Sequence, residues 1–362
     1  MGKTFLSLPH FLSAMRFQFI TAIPQNVQRG SGCFVGIQTL TKGLRALDDV
    51  EVDLTVPQIK VSPFSLERVI FNESLSPLQF AADYVVGFDL DGYRVAGKTK
   101  PPYIAAIKGV LGDAVPFESG LTRLSMAFQA KLEKRNARRA DRVITISNYC
   151  AQRLADLYGV PNAIVVPELI DLDAWEQLFA ANPAPLAKSK FTVLCVCRFY
   201  PRKRVNILLK AAALAAASIP ELEVRIVGNG PDAARLWRLS GELRLENIVT
   251  WVGDSSQAEL ASEYNRADVF CLPSVQEGFG IVFLEAMAAG KPIIAARAAA
   301  TPEVVTDGIL VNPDDPQQLS EALVMLHRNS NLRDRLRIHG QSEVRKYDIK
   351  KVTAHFLKAV TT

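Results

Sequence analysis

The stretch Pro273-Ser274-Val275-Gln276-Glu277-Gly278-Phe279-Gly280-Ile281-Val282-Phe283-Leu284-Glu285-Ala286-Met287 decides how the rest of this chain is read. The apolar run Val269-Phe270-Cys271-Leu272 before it predicts a buried strand, and the run after Gly280 predicts a helix. The loop between them carries Gly278 and Gly280, which let a ligand approach the main chain. Peptide N–H groups at a helix start are unpaired and sit at the positive end of the dipole, so they suit a phosphate or sugar hydroxyls. Two carboxylates flank the junction. Glu277 falls in the loop, where it can meet a reacting sugar, and Glu285 falls a turn or more into the helix, where it can hold a diol. The arrangement predicts a site for a nucleotide-linked sugar.

Glu277, Glu285 and the residues between them resemble the Glu-x7-Glu signature of retaining glycosyltransferases with the GT-B fold, the family 4 or "glycosyl transferases group 1" type. The wider stretch from Ala267-Asp268 to Pro302-Glu303-Val304-Val305 follows the same pattern. The resemblance implies an α/β chain with two Rossmann-like parallel-sheet domains facing across a cleft. It implies that Glu285 holds ribose hydroxyls, that Gly278, Phe279 and Gly280 lie along the donor, and that Glu277 contacts the donor sugar near its anomeric carbon. Whether Glu277 acts as nucleophile, orienter or electrostatic stabiliser stays open. Retention implies attack on the donor's own face, assisted by the leaving phosphate.

Length and composition agree with such a chain. With 362 residues, 49% hydrophobic and 22% charged, there is material for two domains and their cores. A net charge of +5 suits anionic donors and does not by itself indicate nucleic acid. Among the five cysteines no pair has zinc spacing, and Cys195, Cys197 and Cys271 read as buried free thiols in strands. No run approaches the roughly 18 apolar residues of a membrane span. The first fifteen residues read as an extension rather than a signal peptide, so the expected location is the cytoplasm.

Strand and helix candidates alternate twice. Strands are expected at 16–23, 50–56, Tyr84–Phe88, Pro102–Ile107, Arg142–Ile146 and Ala163–Pro167, with helices at 33–47 and 121–140 and a Ser147-Asn148 helix cap. The pattern restarts with Phe191–Val196, a helix over 204–217, and strands at Leu222–Val227, Ile248–Val252, Val269–Leu272 and Ile293–Ala296. Two such alternations predict two parallel sheets with helices on both faces. The expected divisions are an extension over 1–15, an acceptor-side domain over 16–175, a linker over 176–190, a donor domain over 191–345, and a last helix over 346–362. The resemblance implies that this helix packs back on the first domain.

Further candidates lie at predicted strand ends, which face the ligand crevice in open α/β sheets. Arg198 and Lys203 follow Phe191–Val196 and are expected to meet the departing diphosphate, with Arg202 on the surface. Cys197 and Arg204 stand where the family usually has glycines. Gly228 and Gly230, in Gly228-Asn229-Gly230-Pro231, resemble the family's turn near the nucleotide, although an ordinary tight turn explains them equally. Trp251 is either at the nucleobase or in the core. In the first half, Gly30-Ser31-Gly32 precedes a helix as in the family's first loop, placing Gly32 at the donor. Its distance from the first strand counts against a dinucleotide turn. Lys108-Gly109 occupies the place of a histidine that contacts the donor sugar in many relatives, so Lys108 joins the candidate catalytic set. The acidic loop Gly87–Gly92 and Glu118 are candidates for acceptor hydroxyls, or are solvated turns.

The expected reaction moves a hexose-type sugar from a UDP- or GDP-sugar to an unidentified acceptor, with no cofactor or metal required. Asp89-x-Asp91 has metal-bridging spacing but lies in the first half, away from the expected donor loops. Two rivals remain: a nucleotide-sugar hydrolysing epimerase of the same fold, and a non-catalytic nucleotide-sugar binding protein. The basic helix run Lys131, Lys134, Arg135, Arg138, Arg139 and Arg142 is either a solvated face or a contact with anionic membrane.

Overall fold

Two runs of strands alternate with helices along the chain, and each run closes into its own parallel sheet. The computed structural model describes residues 14–24, 27–76, 80–184 and 189–362. All but the end of the expected extension, and residues 185–188 of the expected linker, lie outside those.

The first sheet contains β1 (Met15–Ile20), β2 (Val50–Thr55), β3 (Tyr84–Phe88), β4 (Tyr103–Ile107), β5 (Arg142–Thr145) and β6 (Ile164–Val165), in the order β2-β1-β3-β4-β5-β6. The second contains β7 (Phe191–Val196), β8 (Leu222–Val227), β9 (Val249–Gly253), β10 (Val269–Leu272), β11 (Ile293–Ala296) and β12 (Ile309–Val311), in the order β12-β11-β10-β7-β8-β9. Every residue of β4, β7, β10 and β11 is buried, as expected of central strands covered by helices on both faces. Their near-continuous apolar sequences follow from that double covering.

Strand order fixes where a ligand can sit. In the second sheet the chain leaves β7 towards β8 and β9, then returns to lay β10 on the other side of β7. The connections after β7 and β10 therefore lead to opposite sides of the sheet, leaving a crevice at the carboxyl ends of these strands. The first sheet switches in the same way between β1 and β3.

The first helix runs Val27–Arg45, so Gly30-Ser31-Gly32 lies inside it rather than in a loop before it. Packing outweighs the low helix propensity of glycine here. A Cβ on Gly36 would fall 2.5 Å from Glu168 Oε2, and one on Gly43 would overlap the Thr353 hydroxyl. The small residues let neighbouring elements reach the helix. The expected linker also begins too early, because Leu172–Ala181 is helical and its Trp175 packs edge-on against Tyr264 of the second lobe. The last helix, Ile349–Thr361, lies on the first helix, with the Phe356 ring 5.9 Å from Phe17 and 6.3 Å from Phe19.

Candidate functional site

The carboxyl ends of the two sheets face each other across a cavity of about 360 Å³. Three loops supply the charged and polar side chains of its second-lobe wall. The loop after β7 contributes Arg198, Arg202 and Lys203; the loop after β9 contributes Asp254 and Ser255; the loop after β10 contributes Gln276 to Gly280. The first and third are stitched together, since Val275 N–H donates to the Arg202 carbonyl at 2.9 Å and the Ser274 hydroxyl to the same oxygen at 3.2 Å.

Glu277 and Lys203 meet in this wall. The lysine ammonium donates to Glu277 Oε1 at 2.5 Å, and both side chains are largely buried. Gly280 adopts φ +87° at the start of the helix Ile281–Ala288, so the chain turns where a side chain would be strained. Glu285 lies one turn inside that helix, buried, and accepts from the Tyr264 hydroxyl at 2.9 Å. Burial pushes its carboxyl up to about 7, with the Tyr264 hydrogen bond opposing the shift. Phe279 also lines the cavity while its ring packs edge-on against Tyr347 at 5.4 Å.

Arg198 lines the cavity with Asp254 as its partner at 3.9 Å. Arg202 does not lie free on the surface as expected. Its guanidinium stacks 4.6 Å over the Tyr200 ring and reaches Glu118 of the first lobe at 3.7 Å, because the short helical turn Pro201–Lys203 directs it inward. Glu118 is thereby committed to an interlobe ion pair. Arg204 holds φ +54°, the conformation that a glycine takes without strain, and its Nη2 donates to Asp314 Oδ2 at 3.2 Å. Cys197 sits just past β7 and is half-buried on the cavity wall rather than within the strand.

Gly228 and Gly230 divide. Gly228 lines the cavity at φ +118°, and a Cβ there would fall 2.1 Å from the Cys197 carbonyl oxygen. Gly230 packs against the Phe199 backbone and belongs to the tight turn. Trp251 sits in an aromatic cluster with Phe199 and Trp237, at 5.7 Å and 6.5 Å. The residues after β9 that reach the cavity are Asp254 and Ser255, which sequence reasoning missed.

The first-lobe wall gathers Gly32 and Cys33 from the first helix, Asp89 after β3, Lys108 after β4, Ile146 after β5 and Glu168 after β6. Gly32 faces Ile281, which a Cβ there would approach to 3.6 Å. Asp89 is therefore beside the donor loops, not away from them, because the two sheets face each other. Burial pushes its carboxyl up to about 6, with Arg68 and the Lys108 N–H acting in the opposite direction. Asp91 is spent in the core: Arg68 donates to it at 2.8 Å and 3.0 Å, Asn72 at 3.0 Å and the Ala22 N–H at 2.7 Å. Of the acidic loop, only Asp89 and none of Asp91 lines the cavity. Lys108 lines it too, its ammonium 2.7 Å from Glu168 Oε2. Glu168 carried no signal in the sequence.

Contacts close the lobes around this space. The Ser147 hydroxyl caps its own helix by accepting from Cys150 N–H, and donates to the Gly278 carbonyl at 2.8 Å. Glu303 accepts from the N–H groups of Asn148 at 2.9 Å and Tyr149 at 2.6 Å, meeting the positive end of a first-lobe helix.

Comparison with known proteins decides the family. A model described as "Glycosyl transferases group 1" matches residues 179–343, and one described as "Glycosyltransferase Family 4" matches residues 87–174. The chain belongs to the group 1, family 4 glycosyltransferases. This glycosyltransferase is 29% identical to a phosphatidyl-myo-inositol mannosyltransferase of Mycobacterium leprae, over 88% of each chain. It is 32% identical to a GDP-mannose-dependent alpha-(1-6)-phosphatidylinositol monomannoside mannosyltransferase of Mycolicibacterium smegmatis, over 47% of each chain. Among solved structures, sucrose-phosphate synthase of Thermosynechococcus elongatus superposes with a TM-score of 0.75 at 21% identity, covering 96% of this chain and 98% of that one. Anabaena HepE in complex with UDP and glucose gives 0.71 at 18% identity, covering 96% and 99%. The fold is GT-B.

Proposed function

We propose that the enzyme transfers a hexose, with retention, from a nucleoside diphosphate sugar to an acceptor hydroxyl, and that GDP-mannose is the donor. One observation carries the reading: Arg198, Lys203, Glu277 and Glu285 converge on one cavity although 87 positions separate the first from the last. The dependence of the Mycolicibacterium relative on GDP-mannose, and the mannosyltransferase activity in the name of the Mycobacterium leprae relative, favour this donor.

In this reading the diphosphate lies across Arg198 and Lys203, with the free N–H groups of the Ile281–Ala288 helix start adding to the cations. Glu285 accepts the ribose hydroxyls as a carboxylate. Lys203 exchanges its ion pair with Glu277 for a phosphate oxygen, which leaves Glu277 facing the sugar. The bond from the anomeric carbon to the β-phosphate oxygen breaks with its electron pair remaining on the phosphate. The acceptor oxygen then bonds to that carbon from the same face, and its proton passes to the leaving phosphate oxygen. Glu277 stabilises the positive charge on the ring, and the two cations stabilise the departing diphosphate. Lys108 donates to the sugar from the first lobe.

A thermal-shift screen over GDP, UDP, ADP and their sugars tests the donor. GDP and GDP-mannose are expected to raise the melting temperature most. No shift with any nucleotide would sink the reading, and an epimer formed from donor alone would replace it with the epimerase.

The acceptor in this reading is lipid-linked, as the relatives' names suggest, and the enzyme works peripherally at the cytoplasmic face of an anionic membrane. The helix Gly120–Arg139 supports this: Leu121, Leu124 and Phe128 are exposed, at 84%, 68% and 52%, on the same helix as Lys131, Arg135 and Arg138. No helix among the described residues is long and apolar enough to cross a membrane. Flotation with vesicles of phosphatidylglycerol and phosphatidylcholine at low salt should carry the protein up, and Leu124→Ser with Phe128→Ser should leave it at the bottom. Wild-type protein that does not float rejects the membrane contact.

A further inference from the structure

Lys108 is held at both ends. Its backbone N–H donates to Asp89 Oδ1 at 2.8 Å, and its ammonium donates to Glu168 Oε2 at 2.7 Å. The Lys108 and Glu168 side chains are each more than nine-tenths buried. Gly36 makes the arrangement possible, because a side chain at that position would occupy the space of the Glu168 carboxylate.

Burying such a pair seldom adds stability, since desolvation offsets most of the attraction. A buried carboxylate that serves the core has its acceptors spent, as Asp91 does behind this wall, where Arg68, Asn72 and the Ala22 N–H all donate to it. Lys108 and Glu168 are different. Two of the three ammonium N–H bonds and Glu168 Oε1 have no hydrogen-bond partner among the described residues, and both side chains line the cavity across from Glu277. The unspent groups are one set of donors and one acceptor, side by side, at the carboxyl end of the sheet.

We propose that Glu168 is a positioning residue: it fixes the Lys108 ammonium on the cleft wall, so that the pair takes a hydroxyl of the transferred hexose as acceptor and donor at once. This rests on the reading of the cavity as a nucleotide-sugar site. Lysine alone on a four-carbon stem would sample many orientations; the carboxylate selects one. A hydroxyl satisfies both halves of the pair, whereas bare nucleotide touches neither.

A double-mutant cycle on the full chain tests it, with GDP affinity by calorimetry and mannosyl release from GDP-mannose as readouts. Lys108→Ala should lower turnover by roughly 100-fold, and Glu168→Ala should lower it by a comparable factor. The double variant should fall no further than Lys108→Ala, because Glu168 acts through Lys108. GDP affinity should stay within about two-fold of wild type in all three, so the loss appears only when the sugar is present. Glu168→Gln keeps an oxygen for the ammonium and should recover part of the activity. It also carries the cycle if Glu168→Ala does not fold. Losses that multiply, a parallel fall in GDP affinity, or Glu168→Gln and Glu168→Ala at wild-type turnover each overturn the proposal. Wild-type enzyme that binds no GDP and no GDP-mannose overturns the donor reading instead, and the first titration shows which has failed.

Discussion

The two walls of the cleft are made differently, although both stand at the switch point of a six-stranded parallel sheet. The second-lobe wall is mostly contiguous in sequence: Arg198 to Lys203 in one loop, Glu277 to Glu285 in one loop and helix. It carries three cations, Arg198, Arg202 and Lys203, and three carboxylates, Asp254, Glu277 and Glu285. The first-lobe wall takes its charged residues singly from three strand ends, Asp89, Lys108 and Glu168, and so places two carboxylates beside one lysine. The difference matches two tasks. A diphosphate demands dense positive charge and backbone amides in fixed geometry, which a loop entering a helix supplies locally. Sugar hydroxyls need donors and acceptors side by side, which a sheet edge supplies by bringing distant residues together.

The comparison breaks first at Glu277. If the second wall holds the reacting centre, Glu277→Gln should lower turnover by about 1,000-fold with an unchanged melting temperature. A variant within a few-fold of wild type would move the chemistry elsewhere. Arg198→Ala and Lys203→Ala should each cost about 100-fold in turnover and weaken GDP binding, since each removes a charge-assisted contact to phosphate. Normal kinetics in either would return that residue to the surface.

Glu285 sharpens the comparison through pH. Its buried carboxyl titrates at about 7 rather than near 4.5. Only the carboxylate accepts ribose hydroxyls fully, so GDP affinity should fall about ten-fold from pH 8 to pH 6. The stability contribution of the free enzyme runs the other way. The folded pKa is raised, so this group stabilises the fold below about 4.5 and that contribution is lost as pH rises through about 7. Glu285→Gln should flatten the affinity profile; a profile as steep as that of wild type would assign the dependence to another group.

The smallest effect is expected where the walls are latched. Glu303→Ala removes the acceptor for two first-lobe amides and should raise the donor KM about five-fold, the equivalent of roughly one net hydrogen bond. Small-angle scattering should report a larger radius of gyration. No change in either would show that the other interlobe contacts suffice.

Most of the second lobe was legible in the sequence because its chemistry is local. Strands Phe191–Val196, Val269–Leu272 and Ile293–Ala296 read directly as apolar runs, Leu222–Val227 as one with charges at alternate positions, and the loop after β10 announced itself by glycines and carboxylates at fixed spacing. In the first lobe the sequence pointed to Gly32 and Lys108, both of which line the cavity, and otherwise only to strands and helices. Nothing near Glu168 in the sequence marks it, since its partner lies 60 positions away and the glycine that makes room for it is 132 positions away. The same blindness put Arg202 on the surface and Asp89 far from the donor. Gly30-Ser31-Gly32 misled in the opposite direction, because local propensity favoured a loop and tertiary packing kept the helix.

The most direct test compares GDP with GMP by calorimetry, for wild-type enzyme and for Arg198→Ala/Lys203→Ala. Wild type should prefer GDP by about two orders of magnitude, and the double variant should bind both alike, because what it lost was the grip on the second phosphate. Equal affinity for the two nucleotides in wild type, or an undiminished preference for GDP in the variant, would contradict the account.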